Sequence, residues 1–326
     1  MESRPLLNCD WLSYHVDCWD DSPNENYNYV EGTPTNVFGR RIIYYDNFGY
    51  KLCTVLSRPR SAILSPTMML VEVANEHLYS GSRIFELWRS LYPHSRLVSL
   101  SRVDLCADFE VSPRRLSIIQ GLAAGSFYVM GKKQTAAFYD VVDRVRVPKC
   151  INYGSPRSEM SWKLYNKTKE IDATSPDCEK PYIVQRWNEV GFDISNVWRL
   201  EVSLHPSRFT FAEELGDVMS RRDEFEQYFL SLMAKSFDVR IKGHSRVTND
   251  KRVVFFPADA RLSVRRRIPN PIDRKPLVAE LSKLVAAWEL QPIDTPIKSR
   301  LFEYVCDFAT EYGLESYCER RWGFRI

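Results

Sequence analysis

Arg102-Val103-Asp104-Leu105-Cys106-Ala107-Asp108-Phe109 is the stretch on which the fold turns. Its odd positions are apolar, while its even positions carry Arg102, Asp104, Cys106 and Asp108. Side chains alternate across an extended strand, so this segment has one face for a core and one that bears charge. The alternation recurs in Trp198-Arg199-Leu200-Glu201-Val202-Ser203-Leu204-His205, where Arg199, Glu201, Ser203 and His205 share one side. A third instance, Trp162-Lys163-Leu164-Tyr165-Asn166-Lys167, sets Lys163, Tyr165 and Lys167 together. Lys, Glu and Asp are poor strand formers. Three strands that tolerate them on one face predict a sheet whose polar floor does chemistry.

Working outward, Arg41 to Tyr45 and Tyr50 to Leu56 read as a hairpin around a glycine-containing turn, and Met68 to Val73 as a further strand. Ser82 to Leu91 has the 3-4 apolar spacing of a helix, and Leu97 to Phe109 is a long strand. Ser112-Pro113 opens a helix over Leu116 to Ala124. Strands are predicted at Ser161 to Lys167 and Val197 to His205, and Thr210-Phe211-Ala212-Glu213 is a capping box for a helix running to about Phe237. Amphipathic helices near Val278 to Leu290 and Ile297 to Tyr312 close the chain. Strands and helices without regular βαβ alternation predict an α+β fold, with a largely antiparallel central sheet flanked by helices. Residues 1–36, rich in Asp, Asn and Pro, read as irregular, residues 37–268 as the main domain and residues 269–326 as a small helical module.

The 326 residues are 44% hydrophobic and 27% charged, enough apolar volume for a real core. No apolar run approaches the roughly 20 residues that cross a bilayer, and the N-terminus has no basic and apolar leader, so a cytoplasmic location is expected. Eight scattered cysteines form no Cys-x-x-Cys pair, which argues against structural zinc. Net charge is only +3, but residues 240–267 hold nine basic side chains against two acidic ones. Arg240, Lys242, Arg246, Lys251, Arg252, Arg265, Arg266 and Arg267 make this a candidate phosphate-binding patch. Phe255-Phe256 within it suits either base stacking or a core strand.

Asp104, Asp108 and Glu201 beside Tyr165 supply what metal-assisted phosphoryl transfer requires: oxygen donors for a hard divalent cation and a phenol that can attack phosphorus. Lysines and arginines on that face would stabilise the extra charge of the pentacoordinate state. Asp104 and Asp108 stand roughly 13 Å apart along a strand, at about 3.3 Å per residue. They therefore do not share one ion unless a bulge intervenes, and Asp104 with Glu201 are the preferred ligands. Glu170 has the wrong parity for the face and would have to return to it from the strand end.

These segments, taken in order, resemble the rolling-circle replication initiators of the replication-initiation-factor (Rep_trans) family, which includes initiators of plasmids and filamentous phages and related relaxases. The resemblance lies in Arg102-Val103-Asp104-Leu105-Cys106-Ala107-Asp108, Tyr153-Gly154-Ser155-Pro156-Arg157-Ser158, Leu164-Tyr165-Asn166-Lys167-Thr168-Lys169-Glu170 and Trp198-Arg199-Leu200-Glu201-Val202, with Val71-Glu72-Val73 upstream. It spans about residues 70 to 205. It implies that Tyr165 nicks one strand of origin DNA and becomes linked to the 5′-phosphate, with Mg²⁺ or Mn²⁺ held among Asp104, Glu201, Asp108 and Glu170. It further implies Lys167 and Arg199 as phosphate contacts; Lys163 and Arg102, from the polar face, and Ser155, in a turn that offers donors to a phosphate or only connects strands, are further candidate DNA contacts. Origin DNA is the implied partner, with a host helicase and a homodimer as further candidates and no membrane. The five histidines (15, 77, 94, 205 and 244) form no His-x-His pair, the signature of the other large class of rolling-circle nickases. Competing readings are a conjugative relaxase, a non-catalytic DNA-binding regulator, and a metal-dependent nuclease that uses water and forms no covalent link.

Overall fold

A computed structural model describes residues 4–79, 84–156, 158–173, 180–205, 229–230, 232–233, 236–242, 251–256, 274–292, 295–311 and 314–323. In chain order the strands are β1 (Leu6–Asp17), β2 (Asn28–Glu31), β3 (Phe38–Tyr45), β4 (Lys51–Pro59), β5 (Met68–Val73), β6 (Arg96–Glu110), β7 (Phe127–Val129), β8 (Gln134–Val142), β9 (Val145–Tyr153), β10 (Met160–Asn166), β11 (Val197–Leu204), β12 (Val239–Ile241) and β13 (Lys251–Val253). The helices are α1 (Asn75–Tyr79), α2 (Ile84–Leu91), α3 (Pro113–Ala124), α4 (Lys167–Asp172), α5 (Pro181–Glu189), α6 (Arg274–Glu289), α7 (Pro296–Glu311) and α8 (Glu315–Trp322). Ten strands form one sheet in the order β2-β3-β4-β5-β1-β6-β11-β10-β9-β8, and β13-β12-β7 form a second, with every recorded pairing antiparallel. The protein is α+β, as the alternation predicts.

The N-terminal expectation is corrected. Leu6–Asp17 is no irregular segment but the central strand β1, paired with β5 on one side and β6 on the other. Its alternation is broken by a bulge: Cys9 lies opposite Leu105 and Trp11 opposite Asp104, which leaves Asp10 as the extra residue. A bulge turns two neighbouring side chains toward one face and hides the period-two signal. Polar Asn8, Asp10 and Ser13 sit within the strand because their face is the one that carries charge.

The apolar face is the core. Val103, Leu105, Ala107 and Phe109 of β6 are fully buried, as are Leu200 and Val202 of β11 and Leu164 of β10. Helix α3 covers part of it with Ile118, Ile119 and Leu122. Its start follows the Ser112-Pro113 signal, with Ser112 Oγ accepting from Arg115 N at 3.2 Å. It ends at Gly125, whose φ of +76° suits a left-handed C-terminal cap. Phe255 and Phe256 pack edge-on against Phe109 at 5.4 and 5.1 Å between centroids, so this pair belongs to the core and is not a stacking platform. Helices α6, α7 and α8 bury a cluster of their own, built from Leu281, Val285, Val305, Ala309, Leu314 and Cys318.

Candidate active site

The opposite face of the sheet gathers the chemistry. Tyr165 of β10 lies opposite Arg199 of β11, which lies opposite Asp108 of β6. In the next row Lys163 faces Glu201, which faces Cys106. Between the rows the Tyr165 hydroxyl donates to Glu201 Oε2 at 2.9 Å. Lys163 Nζ stands 4.3 Å and Lys167 Nζ 5.6 Å from the Tyr165 ring centroid. Strand β10 ends at Asn166, whose side chain accepts from Lys169 N at 2.9 Å and so caps α4. Lys167 therefore reaches Tyr165 from the first residue of a helix, not by strand parity. The same turn brings Glu170 back to pair with Lys167 at 2.5 Å.

Two helices roof one end of this face. Arg199 is fully buried and its guanidinium is held at every nitrogen: Nε and Nη2 donate to Asp108 at 2.5 and 2.8 Å, Nη1 to Asp10 at 2.6 Å, and Nη2 also to the Tyr79 hydroxyl at 2.8 Å. Tyr79, from α1, donates to Asp10 Oδ1 at 2.9 Å. Trp187, from α5, donates to Asp108 Oδ2 at 2.8 Å. Both oxygens of Asp108 are thus engaged. Arg199 and Asp108 form a buried frame that orients the site, and neither is turned outward to a phosphate or a cation.

Sequence reasoning missed Asp10, Tyr79 and Trp187. The first is a bulge residue, and the others come from helices whose position over the sheet no local pattern encodes. Burial works to raise the Asp10 pKa, but Arg199, then Lys167 and the Tyr79 hydrogen bond, outweigh it and hold the carboxyl well below its usual range. Glu201 is displaced upward, by burial first and then by the charges of Asp10 and Asp104, with Arg199 and Lys163 opposing. Burial and the adjacent Glu201 also push the Tyr165 phenol well above its ordinary value. A phenol so placed needs a base in contact, and Glu201, made more basic by its neighbours, is in contact.

The remaining predicted residues are dispersed. Asp104 is buried and its two oxygens are bound by Arg102 at 2.9 and 2.5 Å, while the Arg102 guanidinium stacks 5.3 Å from the Trp11 ring centroid. Ser155 lies in the β9–β10 turn, far along β10 from Tyr165, and its carbonyl accepts from Ser158 N and Oγ. Arg240 and Arg252 lie opposite each other in the small sheet and share Asp238. Lys242 and Lys251 are exposed near them. Arg246, Arg265, Arg266 and Arg267, and the capping box at Thr210, lie outside the described residues.

Among the described residues, no group of three or more His, Cys, Asp and Glu side chains is spaced to hold a metal ion. Mg²⁺, however, is commonly held by one or two carboxylates together with substrate phosphates. Glu201 and Asp10 fit that pattern in donor type, and they lie close enough for their charges to act on each other.

No family model matches the chain, and no curated protein matches it. Among solved structures, a rolling circle replication initiator protein from Geobacillus stearothermophilus aligns with it at 14% sequence identity and a TM-score of 0.45, covering 77% of this chain and 93% of that one. No helix among the described residues is long and apolar enough to cross a membrane.

Proposed function

We propose that the chain is a DNA nicking and joining enzyme that starts rolling-circle replication of a plasmid or phage by attacking one strand of origin DNA with Tyr165. The observation that carries this reading is the Tyr165–Glu201 hydrogen bond of 2.9 Å on a sheet face that also holds Lys163 and Lys167. Glu201 takes the phenol proton. The phenolate oxygen forms a bond to phosphorus, the P–O3′ bond breaks, and the 3′-oxygen leaves and takes a proton from solvent. Lys163 and Lys167, beside the ring, balance the phosphoryl charge that builds up. The Arg199–Asp108 pair ties β11 to β6 beneath them. Mg²⁺ or Mn²⁺ would be held by Glu201 and Asp10 and would polarise the phosphodiester. A tyrosyl phosphodiester retains the energy of the broken bond, so the reverse attack by a 3′-hydroxyl reseals the strand.

The test uses supercoiled DNA carrying the origin of the replicon that encodes the protein, with Mg²⁺ or Mn²⁺, followed by denaturing electrophoresis of wild type and Tyr165→Phe. Wild type is expected to leave a protein-linked strand and the variant none. Nicking that persists in the variant with no adduct would mean attack by water and would overturn the role of Tyr165.

A further inference from the structure

The row that holds the Tyr165 ring continues outward. Cys150 of β9 lies opposite Tyr165, and Phe138 of β8 lies opposite Cys150. Directly paired residues of antiparallel strands share a face, so Phe138 stands on the same side of the sheet as the nucleophile, two strands away. At about 4.8 Å per strand its backbone is roughly 10 Å from that of Tyr165. Phe138 is 54% exposed, whereas Tyr139 after it turns into the core and donates to Ala123 O at 2.7 Å. This is the ordinary alternation of a strand, and directly after Phe138 the register shifts as β9 contributes Lys149 as an extra residue. The pairing register therefore sets a bare aromatic ring on the site face near the sheet's edge, where β8 is the last strand.

The ring has cationic company. Asp140, two residues on, ties Lys169 of α4 at 2.7 Å and Lys149 at 3.7 Å, which fixes two ammonium groups beside the row. Lys163, exposed one row away, completes the set. An aromatic face bordered by lysines, with one carboxylate among them, matches a nucleotide strand: the base stacks on the ring and the phosphates meet the cations.

We infer that Phe138 is a stacking platform for a base of the single strand that flanks the scissile phosphate. The inference rests on the nicking reading and adds a positioning residue to it. Stacking is tolerant of base identity, so the contact contributes affinity and placement, not sequence readout.

Binding is measured with full-length protein carrying Tyr165→Phe, with and without Phe138→Ala or Phe138→Trp, on fluorescent single-stranded origin oligonucleotides. A single abasic site is moved along both flanks of the nick position. In the protein with Phe138, one abasic position is expected to weaken binding roughly tenfold. Phe138→Ala is expected to weaken the intact oligonucleotide by a similar factor and to erase the penalty of that abasic position, and Phe138→Trp to restore both. Unchanged affinity and an unchanged abasic profile in Phe138→Ala, with binding retained, would overturn the platform and leave the nicking reading intact. No single-strand binding by either protein would overturn both. Because Phe138 is exposed, its replacement leaves the core untouched, and circular dichroism checks this.

Discussion

Glu201 is the residue at which chemistry and stability oppose each other. Its pKa is raised in the folded protein by burial and by Asp10 and Asp104, so its charged form is disfavoured on folding. Its contribution is most favourable below the ordinary carboxylate range and is lost as pH rises through the elevated folded value. Glu201→Gln is therefore expected to raise the thermal midpoint at pH 7.5. The gain should shrink toward zero near pH 3.5, where both proteins are neutral at this position. The same variant should lose roughly 10²- to 10⁴-fold in nicking rate, because an amide takes no proton from Tyr165. A gain over wild type no larger at pH 7.5 than at pH 3.5 would show that the carboxylate repulsion is absent. Tyr165 and Glu201 are legible from strand parity alone, whereas Asp10 is not: the bulge that delivers it also removes the alternation by which it would be recognised.

Among the elements, α3 shows how a helix serves the site without touching it. It closes on β7 through Gly121, where an added Cβ would come within 2.9 Å of the Phe127 ring. Alanine in place of an interior helical glycine is ordinarily worth about 1 kcal/mol. Here the ring stands in the way, and overpacking of this kind costs roughly 1–3 kcal/mol. Gly121→Ala is thus expected to lower stability in urea unfolding, and a gain would mean that Phe127 swings aside freely. The Ser112-Pro113 start of this helix follows from local chemistry. The pairing of β7 with β12, more than a hundred residues along the chain, does not. Strands β8 and β9 were likewise not predicted: their outer ends expose Val141, Val142 and Val145 and lack the polar and apolar alternation of a half-buried strand.

For the molecule as a whole, a net charge of +3 makes DNA binding a matter of local patches. Arg240 and Arg252 are partly neutralised by Asp238, and Lys242 and Lys251 are further exposed cations of this region. Replacing both lysines with alanine is expected to reduce the salt dependence of duplex binding by about two units of slope, at about 0.9 per phosphate contact. Cleavage of a short single-stranded oligonucleotide should be unaffected. An unchanged slope would remove the small sheet from the DNA-binding surface.

Local sequence determined the alternation of β6, β10 and β11, and with it the α+β class and the face on which Tyr165, Lys163 and Glu201 meet. Period two is a property of the backbone, and it survives wherever one face of a strand is buried and the other is polar. Only the tertiary structure decided that Leu6–Asp17 is the strand between β5 and β6, and that Arg199 and Asp108 are a buried frame completed by Asp10, Tyr79 and Trp187. It also decided that Phe138 faces the site while Phe255 and Phe256 face the core. Those outcomes depend on strand order, on the β1 bulge, which shifts register without changing composition, and on helices α1 and α5, which remove charged groups from water. Burial and partner choice are set by what packs above a face, and that information is distributed along the whole chain.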